Sequence, residues 1–132
     1  MRAFSHNSLS IAVVRSSDAI QLHFRGRSNE RHPGRTLGLY LAQAVDAAAD
    51  TASLLELRFE GLSYFNSATV STIIQCLQAA RARAVNVRLI YDANLEWQRL
   101  SFEPMRVFAT DSLLELSPIT ALEPPRLKAE GT

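Results

Sequence analysis

Hydrophobic and polar positions along this chain fall into blocks of two periods. Leu9, Ile11 and Val13 alternate with Ser10 and Ala12, and Ile20, Leu22 and Phe24 alternate with Gln21, His23 and Arg25. Period two over such lengths predicts two half-buried strands, and the turn formers of 15–18 between them predict an antiparallel hairpin. A loop, Gly26 to Gly34, is expected next. Leu37, Leu41, Val45 and Ala48 then repeat at helical spacing, predicting a helix that ends near Asp50. Leu55, Leu57 and Phe59 return to period two, while Val70, Ile73, Ile74 and Leu77 stand at i, i+3, i+4 and i+7, so strand gives way to helix at Asn66-Ser67-Ala68-Thr69. Val85, Val87, Leu89 and Tyr91 predict a further strand, apolar enough to be covered on both faces. Leu95, Trp97, Leu100 and Phe102 predict a third helix with Asn94 as its cap. Pro104 should break it, leaving Met105 and Phe108 in a separate turn. Leu113, Leu114 and Leu116 fit either a last short strand or a cover for the core.

Strand, strand, helix, strand, helix, strand, helix is the order of an α/β domain. The expected sheet is mixed, of four to five strands, with an N-terminal antiparallel hairpin followed by parallel strands and packed with helices. The domain should span 1–122. From Glu123 the chain turns to Pro124, Pro125, Lys128, Glu130 and Gly131, which predicts a disordered tail over 123–132.

Composition narrows the choice of partners. The chain has 132 residues, 47% of them hydrophobic, with 14 Lys plus Arg against 13 Asp plus Glu. A formal net charge of +1 favours neither a nucleic-acid surface nor a strongly acidic partner. Its single cysteine, Cys76, cannot form an intramolecular disulfide or a multi-thiolate zinc site. The first fifteen residues lack the apolar run of a secretion signal, and no later run approaches the ~20 residues that cross a bilayer. The expectation is a soluble cytoplasmic protein without a membrane partner.

Catalytic signatures are thin. A serine nucleophile needs a base, yet His6, His23 and His32 lie in the hairpin or the loop behind it, and Ser67 lacks the Gly-x-Ser-x-Gly setting of a nucleophile elbow. His23 and His32 are not spaced as metal ligands and have no carboxylate cluster beside them. Scattered glycines form no phosphate loop. A phosphoacceptor-aspartate domain would need an acid where this chain has Tyr64-Phe65-Asn66-Ser67. No catalytic residue, metal or cofactor is therefore assigned. What remains is a cluster of hydroxyls at a helix start, where free N–H groups and the positive end of the helix dipole accept a phosphate.

Leu62-Ser-Tyr-Phe-Asn-Ser-Ala-Thr-Val-Ser-Thr-Ile-Ile74 resembles the signature of the STAS domain, the anti-sigma-factor antagonist family of bacteria. That signature is an apolar strand, Asp-Ser-Ser-Gly and an apolar helix. Element order matches over about residues 9 to 118. The resemblance implies a STAS-like fold and a non-enzymatic module of partner switching, acting in signal transduction and regulation of transcription. In the family, the first serine of the motif is phosphorylated by a partner kinase that is itself an anti-sigma factor, and a phosphatase reverses it. Ser67 occupies that place, with Thr69 and Ser71 as alternative acceptors. Asn66 stands for the aspartate, Ala68 for the second serine and Thr69 for the glycine. The exchange at 66 removes a charge beside the acceptor, and the one at 69 adds bulk where a kinase approaches. Tyr64, Phe65, Asn66, Ser67, Ala68 and Thr69 are the expected contact surface, and a homodimer is left open.

Other readings sit beside this one. Asn66 and Ser67 could do no more than cap a helix, and the fold could serve as a small-molecule sensor or a scaffold subunit without phosphorylation. The basic stretch Arg25 to Arg35 is either a docking patch or a solvated loop. Trp97, Phe102, Met105 and Phe108 fit core packing better than a ligand pocket. Cys76 should be buried and inert, and Glu96, Gln98 and Arg99 should form the outer face of their helix.

Overall fold

Strand β3, Ala19–Ser28, is the longest strand among the described residues and the axis of their sheet. In the computed structural model, which describes residues 1–119, it pairs antiparallel with β2 (Leu9–Arg15) on one side. On its other side it serves two strands in succession. Ala19 to His23 pair parallel with β4 (Leu54–Arg58), and Gly26 to Ser28 pair parallel with β5 (Leu62–Phe65). β4 and β5 therefore run in one lane, broken at Phe59-Glu60-Gly61. Beyond β4 lie β6 (Val87–Asp92) and β7 (Leu114–Ile119), both parallel, and β1 (Phe4–His6) flanks β2 antiparallel. Among the described residues the sheet has seven strands, in the order β1-β2-β3-β4-β6-β7 with β5 on β3.

The mixed α/β class and the hairpin start are as expected, and β7 resolves the choice left at Leu114 and Leu116 in favour of a strand. Two strands, β1 and β5, come in addition. β1 is held by a two-residue turn in which Asn7 takes φ 52°, a conformation asparagine tolerates. Gly26 lies in β3 and not in a loop. Its φ is +91°, and a Cβ there would sit 2.0 Å from the Ser8 carbonyl oxygen, so only glycine fits.

Helix α1 (Leu37–Asp50) follows a short turn of 3₁₀ helix at Pro33–Arg35, and α2 spans Ser67–Ala82. α3 is short, Glu96–Phe102, and continues into 3₁₀ helix at Glu103–Phe108, where Pro104 sits near the start as expected. Asn94 does not cap α3. Leu95 is its N-cap, and the Asp92 carboxylate instead accepts from the Asn94 N–H at 2.9 Å. The core lies between the helices and one face of the sheet, with Ile20, Leu22, Leu55, Leu57 and Leu89 fully enclosed. Phe24, Phe59, Phe102 and Tyr91 join it as a run of aromatic contacts 4.4 to 5.6 Å apart.

The opposite sheet face is largely polar, although β6 stays mostly covered on both faces as expected, with Ile90 5% and Asp92 3% exposed. Gln21, Glu56, Arg88 and Glu115 stand in one register row across four strands. With Arg58 and Glu60 they build a chain of alternating charge: Glu60 to Arg58 at 2.7 Å, Arg58 to Glu56 at 3.3 Å, Glu56 to Arg88 at 3.1 Å and Arg88 to Glu115 at 3.3 Å. Glu56 is 4% exposed, covered by its two arginines, and a buried carboxylate needs such partners. The described residues hold no helix long and apolar enough to cross a membrane and no group of three potential metal ligands. The tail expected over 123–132 lies outside the described residues.

Candidate functional site

The tip where β5 hands over to α2 is built by one amide side chain. Asn66, extended at φ −98° and ψ 175°, is the N-cap of α2, and its Oδ1 accepts from the Thr69 N–H at 2.9 Å. The Thr69 hydroxyl donates to the same oxygen at 2.8 Å, which leaves the Ser28 hydroxyl, 2.7 Å away, to donate to Thr69. The other end of the amide points outward from the helix. Asn66 Nδ2 donates to the Glu30 carbonyl at 2.9 Å, and the Asn66 N–H donates to the Ser28 carbonyl at 3.0 Å. Helix, strand end and the loop after β3 are thereby tied at a single residue.

This explains the exchanges at 66 and 69. An aspartate could cap the helix but has no proton for the Glu30 carbonyl, whereas asparagine serves both. Thr69 adds no bulk over the acceptor, contrary to the expectation from sequence. It is 1% exposed and turned inward onto Ser28. The hydroxyl candidates are thus placed differently. Ser67, the first residue of α2, is exposed, as is Ser71 one turn on, while the hydroxyl of Thr69 is enclosed and already engaged. Ser67 and Ala68 lie in the first turn, where backbone N–H groups have no partner within the helix.

The expected contact surface divides in the same way. Tyr64 is exposed on β5, with the Arg27 guanidinium 4.8 Å from its ring centroid, and Asn66 and Ala68 are half-buried. Phe65 faces inward, 5.3 Å from Phe102 and edge-on to Trp97 at 5.4 Å. Phe65 and Thr69 therefore leave the surface, whose exposed members are Tyr64 and Ser67. The basic stretch divides too: Arg25 and Arg27 belong to β3, and Glu30 pairs with His6 at 3.4 Å and with the Asn7 amide.

Beneath the tip lies a residue misjudged from sequence. Gln98 belongs to no outer face; it is fully buried. The break between β4 and β5 turns the Phe59 and Leu62 carbonyls into the interior, and the Gln98 amide donates to them at 2.7 and 3.0 Å. Its Oε1 accepts from the Asp92 N–H at 2.7 Å. Buried backbone groups without partners cost about 1–3 kcal/mol each, so Gln98 is the pin that permits the broken lane. Nothing in the α3 sequence signals this, because its partners are 36 and 39 residues away. Trp97, Phe102 and Met105 pack in or against the core as expected. Cys76 is buried, and burial pushes its thiol up to about 12, so it stays protonated and unreactive at neutral pH.

No family model matches the sequence, and no curated protein matches it. Among solved structures, that of the Bacillus cell fate determinant SpoIIAA in the phosphorylated form is similar, with a TM-score of 0.54 and 12% identity over 81% of this chain and 90% of that one. The chain thus has the STAS-like fold that its motif and element order suggested.

Proposed function

We propose that this chain is a non-enzymatic interaction module of the anti-sigma-factor antagonist type, whose binding is set by reversible phosphorylation of Ser67. The observation that carries the reading is the placement of Ser67: exposed, at the first position of a helix whose N-terminus is fastened to the sheet. A phosphate there adds about −1.5 to −2 charges at pH 7, beside N–H donors and a helix dipole that favour an anion. The fold tolerates the charge, so its effect falls on the partner. A partner offering carboxylates at this spot is released, and one offering arginines is recruited. Support comes also from the fold, since SpoIIAA is a protein solved in a phosphorylated form. The matching partners are a serine kinase of the anti-sigma-factor type and a protein phosphatase, in the cytoplasm.

Phosphate transfer from a serine kinase of the anti-sigma-factor type that binds this protein, located by mass spectrometry, tests the assignment. The expected product carries one phosphate at Ser67, and Ser67→Ala takes none. Phosphate at Ser71 in the unaltered protein would move the site by one helical turn. Absence of transfer from a kinase that binds the protein would sink the reading.

A further inference from the structure

At the far end of α2 from Ser67, a pocket opens beside the helix. Leu77, Val85, Val87, Phe108, Leu113 and Leu114 line the walls of this pocket of about 180 Å³, open to solvent on one side, between the last turns of α2, the starts of β6 and β7 and the 3₁₀ segment. Well-packed interiors hold few voids larger than a water molecule. The walls are mostly apolar, and an apolar void of about 150 Å³ suffices to admit benzene. Polar groups gather only at the rim. Arg81 pairs with Asp111 at 3.1 Å and donates to the Thr110 hydroxyl at 3.0 Å, and the exposed Gln78 lies beside them.

We infer that this cavity is a binding site for a small uncharged molecule with a single aromatic ring or a compact branched aliphatic body and one hydrogen-bonding group directed to Gln78. Size follows from the volume and apolarity from the walls. Neutrality follows from the rim: Arg81 and Asp111 already satisfy each other, so a ligand carboxylate would contend with Asp111 and a ligand ammonium with Arg81, each at the cost of its own desolvation. The inference is independent of the Ser67 reading, and none of the wall residues touches the tip.

Titrating the ¹⁵N-labelled full chain with benzyl alcohol, followed by its amide resonances, is the test. Saturable shifts should cluster at Leu77, Arg81, Val85 and Leu113 and spare Asn66 to Ala68. Benzoate and benzylamine should bind about tenfold more weakly, a difference of about 1.4 kcal/mol. Val85→Phe fills the cavity from one wall and Leu113→Phe from another. In whichever of the two keeps a dispersed spectrum, the benzyl alcohol shifts should vanish. Shifts that stay linear to the solubility limit, that centre elsewhere, or that survive in a folded cavity-filled variant would overturn the site. Equal binding of benzoate would overturn its neutrality.

Discussion

The two ends of α2 are finished in opposite ways. At the N-terminus, every polar group of the capping residue is used: the Asn66 amide accepts from Thr69 and donates to Glu30, and buried hydroxyls complete the set. At the C-terminus, Ala84 takes the left-handed conformation at φ 54°, where glycine is the usual residue, although the Val85 N–H still closes onto the Ala80 carbonyl at 2.8 Å. Beside it a pocket opens to solvent. The comparison teaches that one helix can combine a tightly specified end with a strained one beside an open pocket, and that under the proposed reading the specified end is the one that bears the added charge.

Removing the pin under the tip should have the largest effect. Gln98→Leu keeps the volume but removes the Gln98 bonds of the Leu62 carbonyl and the Asp92 N–H and one of the two bonds of the Phe59 carbonyl, which keeps the Leu62 N–H at 2.9 Å, and should lower stability by about 3 kcal/mol in urea unfolding. A loss below about 1 kcal/mol would mean that the broken lane between β4 and β5 needs no such support. Asn66→Ala comes next, at about 1–2 kcal/mol, with the α2 amides of the first turn losing protection against hydrogen exchange. At the other end the sign reverses: Ala84→Gly should raise stability by about 1 kcal/mol, and a loss would show that the left-handed cap carries no strain. Ser67→Glu should leave the unfolding midpoint within about 0.5 kcal/mol of the parent while changing partner affinity. A large destabilisation would make Ser67 part of the cap.

The smallest effect concerns pH. Burial, then the Arg58 charge, hold the His23 imidazole below its ordinary 6.5. The unfolded chain therefore binds the proton first, and His23's contribution to stability is complete above 6.5 and declines as pH falls through the folded value. His23→Gln should flatten the stability profile on the acid side of 6.5 and leave it unchanged above. An unchanged acid limb would show that other groups set it.

Long amphipathic segments were legible in the chain itself, and short or non-local features were not. The periodicity of Leu37 to Ala48 and of Val70 to Leu77 places α1 and α2 correctly, because a helix with one buried face must repeat its apolar residues. β5 escaped because Leu62-Ser-Tyr-Phe65 buries its two ends and exposes its middle, leaving no alternation to read. β1 has three residues and no period at all. Polar residues misled where their partners lie far along the chain: Gln98 and Ser28 look like surface positions until the carbonyls and hydroxyl they meet are brought beside them. The charged chain on the open face did leave a trace, since Glu56, Arg58 and Glu60 alternate in sign at period two. At the candidate site, the hydroxyl Ser67 and the cap were readable, but which neighbours face outward was not.

One amide that fastens both the loop after β3 and the first turn of α2 makes those two segments a single mechanical unit. A protein that grips Glu30 and its neighbours strongly enough to draw that loop away would take the Asn66 side chain with it and uncap the helix. Whatever docks near residue 30 is in this way felt at residue 67, through two hydrogen bonds from one side chain and with no rearrangement of the core.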